Sequence, residues 1–176
     1  SAPHTVNHVR DGNIKRQDGI TGGIAEYLCQ KFHTYGVIRT WNHGDDPNYS
    51  QDSVSMTYRD QIVRLVQEYD IKWVFDLHGI KWCWKTDINF GINDGRNISC
   101  DHSMIQHFAE LWSDDLSDKI DEPYKAASPW TVSSYVHHQT GSNCVQIELG
   151  PKTRTTKLGF GEFYMGFERL IKEIKK

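Results

Sequence analysis

The chain has 176 residues, carries 20 Lys and Arg against 23 Asp and Glu for a formal net charge of −3, and is 38 % hydrophobic. This length suits one domain spanning residues 1–176, and an apolar content that includes six Trp supports a packed core and excludes a mainly disordered chain. A sequence pI of about 6.3 with scattered Lys and Arg argues against nucleic acid as a partner, and no apolar run is long enough to span a membrane.

The predicted elements alternate between helix and strand. Ile24, Leu28 and Phe32 recur at helical spacing behind Thr21, which predicts an amphipathic helix over 21–32 with Thr21 as its cap. A short strand is expected over 36–41, then a polar loop over 42–53, then a helix carrying Tyr58, Ile62, Leu65, Val66 and Tyr69. The run 71–77 reads as a buried strand that opens into a loop at His78-Gly79, and 87–92 as a second strand. Ile105, Phe108, Leu111, Trp112 and Leu116 predict a helix over 101–118, capped by Asp101. After a loop holding Pro123 and Pro129, 143–149 is the next strand, and Phe163, Phe167, Leu170, Ile171 and Ile174 mark a C-terminal helix. Parallel strands need crossovers and helices supply them, so this order predicts an α/β three-layer sandwich with a mainly parallel or mixed central sheet.

Cysteines at 29, 83, 100 and 144 form no C-x-x-C pair, the usage expected of free thiols in a reducing cytoplasm. The opening Ser-Ala-Pro-His, with neither Met nor a signal-like apolar stretch, reads as a processed end or a boundary with residues preceding Ser1.

Active sites of open α/β sheets lie beyond the carboxyl ends of the strands, which directs attention to the polar residues there. Asp76 and His78 lie two apart at the end of one predicted strand, Gln146 and Glu148 at the end of another, and Pro3-His4 opens a polar loop. A titratable pair closing a buried strand is costly in a plain core, and imidazole with carboxylate suits Zn²⁺ with one position left for water. An ion pair to Arg or Lys is the structural alternative for Glu148, while His33, His43, His102 and His107 read as ordinary surface or core histidines.

Ser1-Ala-Pro-His4, Asn7-His-Val-Arg10-Asp-Gly12, Lys15, Asp18 and Thr21-Gly22 together resemble the opening of the N-formylglutamate amidohydrolase family. Asp46-Pro-Asn-Tyr49, Asp76-Leu-His-Gly79 and Val145-Gln-Ile-Glu148 are similar to that family's later motifs in the same order. The resemblance implies a zinc carboxypeptidase-like, phosphorylase/hydrolase-like fold with a single Zn²⁺. It also implies His4 and His78 as metal ligands, Asp18 as the third with Asp76 as the fallback, and Glu148 as the catalytic carboxylate. The expected activity is hydrolysis of a small N-acyl amino acid or short peptide by metal-activated water. A carboxypeptidase-type metallopeptidase and a catalytically silent small-ligand-binding module of the same fold are the alternatives. Arg10 and Arg154, near the expected active-site loops, are the candidates to hold a substrate carboxylate, and His138, expected in a loop before the Glu148 strand, is a candidate oxyanion partner.

Overall fold

The computed structural model describes residues 1–81, 86–112, 116 and 118–175. Its centre is a four-stranded mixed sheet made of β3 (Trp73–Gly79), β6 (Asn143–Leu149), β4 (Ile88–Gly91) and β5 (Asp118–Ile120), in that spatial order. β3 and β6 run parallel, β4 is antiparallel to β6, and β5 is parallel to β4. A separate hairpin joins β1 (His8–Arg10) to β2 (Asn13–Lys15) through Asp11 and Gly12, both with positive φ of 52° and 73°, which matches the twist of a two-residue turn.

Helices cover both faces of the sheet. On one side α1 (Thr21–Phe32), α3 (His102–Ala109) and α6 (Lys157–Ile174) bury Ile24, Leu28, Ile105, Phe108, Phe163, Phe167 and Leu170 against Leu77, Val145, Ile147 and Leu149. On the other, α2 (Ser53–Glu68) and α4 (Val132–Thr140) pack Ile62, Val66, Val132 and Val136 onto Val74 and Cys144. The short α5 (Pro151–Thr155) follows β6, with Pro151 at its start, where no backbone donor is lost. This is the expected layered sandwich, and the sheet is mixed because β6 and β4 meet antiparallel.

The expected helix at 21–32 and strand at 143–149 have the observed bounds, and Asp101 caps α3 by accepting the Ser103 N–H at 2.8 Å. Elsewhere the local pattern misleads. α1 is capped by Ile20, and Thr21 is its first helical residue, bonding back to the Asp18 carbonyl with its hydroxyl at 2.7 Å. The helix expected over 101–118 ends at Ala109 and gives way to β5; residues 113–115 and 117 of that stretch lie outside the described residues. The strand expected over 36–41 is a single bridge, Ile38 to Ala2, because the chain beside it supplies only Ser1 and Ala2 before turning away. Those two residues extend the sheet: Leu77 N–H donates to Ser1 O at 2.8 Å and Arg39 N–H to Ala2 O at 3.2 Å, which delivers His4 to the end of β3. Cys29, Cys100 and Cys144 are free, and Cys83 lies outside the described residues. Among the described residues no helix is long and apolar enough to cross a membrane.

Candidate metal centre

The register of β3 and β6 builds half of the site. Val74 pairs with Cys144, Asp76 with Gln146 and His78 with Glu148, so on one face the pair runs from apolar to polar toward its carboxyl ends. The strand edges leave those side chains almost no water: Asp76 is 0 %, His78 2 % and Glu148 6 % exposed. A face that begins in the core and ends in four polar groups is unfavourable for packing alone.

The other half comes from loops. His4 follows the Ser1–Ala2 edge, and Asp18 is tied to it by its own N–H, which donates to the His4 carbonyl at 2.8 Å. Gly79 admits the loop: a Cβ there would lie 2.8 Å from the Arg154 guanidinium carbon and 3.1 Å from Asp18 Cβ. Asp46 arrives on a segment fastened from behind. Arg39 pairs with Asp45, Ser55 Oγ donates to Asp45 at 2.5 Å, and the fully buried Arg59 donates to the carbonyls of Pro47, Ser50 and Trp130 at 2.6–2.8 Å.

Three atoms converge. His4 Nδ1 and His78 Nδ1 are 3.2 Å apart, and Asp18 Oδ2 lies 3.3 Å from the first and 3.4 Å from the second. The far nitrogens are both engaged, His4 Nε2 with Asp46 at 2.8 Å and His78 Nε2 with Asp76 at 2.9 Å. A carboxylate on Nε2 favours the tautomer with its proton there, so two Nδ1 lone pairs and a carboxylate oxygen point at one place. With both imidazoles neutral that arrangement is repulsive, and either a cation or added protons on the histidines relieve it. Donors around tetrahedral zinc, with bonds of about 2.0 to 2.1 Å, stand about 3.3 to 3.4 Å apart, so the residues present fit such an ion in donor type and in spacing. A second group, His4, His8 and Asp46, also has its donor atoms close together, but Arg10 already bonds Asp46 Oδ2 through Nε and Nη2, each at 2.7 Å, which neutralises the carboxylate.

The electrostatics follow from burial set against these contacts. Burial disfavours charge on His78, yet Asp76 and Asp18 outweigh it and raise its pKa well above the usual imidazole value. His4 is raised in the same way by Asp18 and Asp46, whereas His8, stacked on His4 with ring centroids 4.0 Å apart, is pushed down to about 4 by burial and by the His4 charge. Asp18 and Asp46 are held well below the usual carboxylate range, their histidine partners overcoming burial. Glu148 goes the other way: burial raises it to about 7, against the pull of the His78 charge.

The expected residues fare unequally. His4, Asp18 and His78 come together, and Asp76 stands behind His78 on Nε2, away from the three converging atoms. Glu148 lies beside His78 across the strand pair, and Arg10 reaches the site through Asp46 and lies over the Tyr49 ring at 4.7 Å. Arg154 is a strap: Nε, Nη1 and Nη2 donate to the carbonyls of Leu149, Gly19 and Ile80 at 2.8–2.9 Å. Expected in a loop, His138 is instead an exposed residue near the end of α4, and α4 leads into the start of β6, the opposite end of the strand from Glu148. The geometry gives it no part in the site. Asp46, His8 and Asn48 belong to the site without having been assigned to it, although Asp46-Pro-Asn-Tyr49 is one of the motifs carrying the resemblance.

No family model matches the chain, and no curated protein matches it. Two solved structures are similar at low identity. One is N-formylglutamate amidohydrolase from Ralstonia eutropha JMP134, with a TM-score of 0.46, 15 % identity, and coverage of 64 % of this chain and 49 % of that one. The other is a gene product from Agrobacterium tumefaciens, with a TM-score of 0.44, 13 % identity, and coverage of 73 % and 58 %. The chain thus spans about half the length of these structures.

Proposed function

We propose that the protein is a zinc-dependent amidohydrolase acting on a small N-acyl amino acid or short peptide. The observation that supports it is the convergence of His4 Nδ1, His78 Nδ1 and Asp18 Oδ2 within 3.2–3.4 Å of one another, with Glu148 beside His78. The resemblance of the motifs holding these residues adds the amide substrate class. His4, Asp18 and His78 would hold the ion, with Asp46 and Asp76 orienting the two imidazoles. A bound Zn²⁺ would polarise the scissile carbonyl and make water acidic enough to give up a proton near neutral pH.

Glu148 takes that proton as the water oxygen bonds to the carbonyl carbon, then gives it to the departing nitrogen as the C–N bond breaks. Burial of the Glu148 carboxyl favours its protonated form, which suits a group that must accept a proton and pass it on. Arg10, partly exposed and with Nη1 not used by Asp46, would meet a substrate carboxylate, and Arg154 keeps its expected part only through the hydrogens its three carbonyls leave over.

The experiment compares N-formyl amino acids with their methyl esters on zinc-loaded protein, wild type and Arg10→Ala. Faster hydrolysis of the acids, with KM raised roughly tenfold or more in Arg10→Ala, is the expected result for a lost charge-assisted contact. Equal rates for acid and ester would remove the carboxylate contact. Zinc binding with no hydrolysis of any N-acyl amino acid or peptide would leave a ligand-binding module.

A further inference from the structure

Across the sheet, His78 on β3, Glu148 on β6 and Asn89 on β4 are register partners in one row, so their side chains share a face. Asn89 is fully buried, and its Nδ2 donates to the Tyr124 carbonyl at 2.8 Å, which fixes the amide and leaves Oδ1 with no hydrogen-bond partner among the described residues. A buried acceptor left unpaired costs free energy, and this one belongs to the register partner of Glu148.

On its own strand Glu148 meets the opposite chemistry. The Val132 N–H, at the start of α4, can only donate, and it donates to Asn48 Oδ1 at 2.7 Å. Asn48 must then present Nδ2 to Gln146 Oε1, 3.4 Å away, and Gln146 must present Nε2 to Glu148 Oε1, 2.9 Å away. A backbone N–H thus sets the direction of two successive side-chain amides. Glu148 has a fixed donor on one side and a free acceptor on the other.

We propose that Gln146 and Asn89 are positioning residues for the two states of Glu148, Gln146 donating to the carboxylate and Asn89 Oδ1 accepting the O–H of the acid formed once Glu148 has taken a proton. The inference rests on the reading of Glu148 as the base. The proton enters from the attacking water and leaves on the departing nitrogen, so the pair is restored with each turnover. His78 from β3, His4 and Asp18 from the N-terminal segments, and Arg154 from α5 also act on Glu148, and they are the same in every variant below.

The test needs no substrate. Difference infrared spectra over a pH titration of the zinc-loaded protein, in which the ion keeps the protons off its ligands, follow the carboxyl band that Glu148→Gln abolishes, in wild type, Gln146→Leu and Asn89→Leu. Removing the donor should raise the midpoint and removing the acceptor should lower it, each by about 1, the equivalent of one hydrogen bond. The acid's C=O stretch should move toward that of a free carboxyl only in Asn89→Leu. A loss of polarity alone would raise both midpoints, and that result, or an unmoved band in Asn89→Leu, overturns the proposal. Asn89→Ser is the companion should the leucine variant not fold; it is expected to shift like Asn89→Leu but less, and no shift in it counts against the inference. Kinetics of the zinc form should show kcat lowered about tenfold in both variants with KM and metal content unchanged. A wild type inactive on every N-acyl substrate would remove the hydrolytic reading of Glu148 while the two opposite infrared shifts stood.

Discussion

The strand-borne and loop-borne halves of the site are held by different means. Asp76, His78, Gln146 and Glu148 take their positions from the β3–β6 ladder, where a slip of a single residue would already turn one strand's pair to the opposite face and bury its apolar neighbours wrongly. His4, Asp18 and Asp46 have no ladder of that length. They depend on a two-residue sheet edge, on one hydrogen bond between the backbones of His4 and Asp18, and on the Arg39 and Arg59 contacts behind Asp46. Half of the centre is therefore fixed by a seven-residue ladder, and half by a short edge, a single backbone bond and buried cations behind one loop.

The largest effect belongs to the strand half. Glu148→Gln should keep the metal and lower turnover by at least about 10²-fold, the low end for a general acid–base group. Metal lost together with activity would make Glu148 a ligand instead.

A comparison of the two orienting carboxylates is sharper. Asp76→Asn and Asp46→Asn each remove the charge behind one imidazole, and each should weaken zinc affinity by about 10- to 100-fold. The Asp46 variant should also raise proteolytic sensitivity within residues 42–50, because it releases Arg10 and His4 together, whereas the ladder should hold β3 in the Asp76 variant. Equal protection in both variants would erase the distinction between the halves.

The last predicted effect is a pH dependence of the metal-free protein. Glu148 is raised to about 7 from the ordinary 4.5, so the folded state binds more protons than the unfolded one between those values. Its contribution to stability is fully present below pH 4.5 and is lost as pH rises through about 7. Glu148→Gln should therefore unfold at a higher temperature than wild type at pH 8, by the equivalent of up to about 3 kcal/mol, with the difference gone by about pH 4. Thermal unfolding at the two pH values checks it.

The same division accounts for what could be read in the sequence. β6 and α1 were legible because apolar spacing in both matches the face they bury, and Asp76, His78 and Glu148 stood out because a buried strand that ends in charge breaks its own pattern. α3 was overextended because Leu111, Trp112 and Leu116 keep helical spacing while packing into the core from outside the helix. His4 was visible as a polar residue opening a loop, but its role as a ligand and the part of Asp18 were legible only through resemblance, since nothing local reports that residues 4, 18 and 78 meet. Arg154 was placed near the site by counting residues, yet counting says nothing of the three carbonyls that occupy its guanidinium. Asn89 carries no signal in one dimension and Asn48 only its place in the Asp46-Pro-Asn-Tyr49 motif, because their significance lies in the partner that each side-chain oxygen has or lacks.

The central claim is that a strand histidine and two loop residues hold one ion. Calorimetric titration of chelator-stripped protein with Zn²⁺ tests it most directly, in wild type and in His4→Ala, Asp18→Ala and His78→Ala. One equivalent should bind tightly to the wild type, each substitution should weaken it by at least about 10²-fold, and affinity should fall with decreasing pH as protons compete for the imidazoles. Wild-type affinity retained in His78→Ala, or loss confined to one of the three variants, would contradict the account.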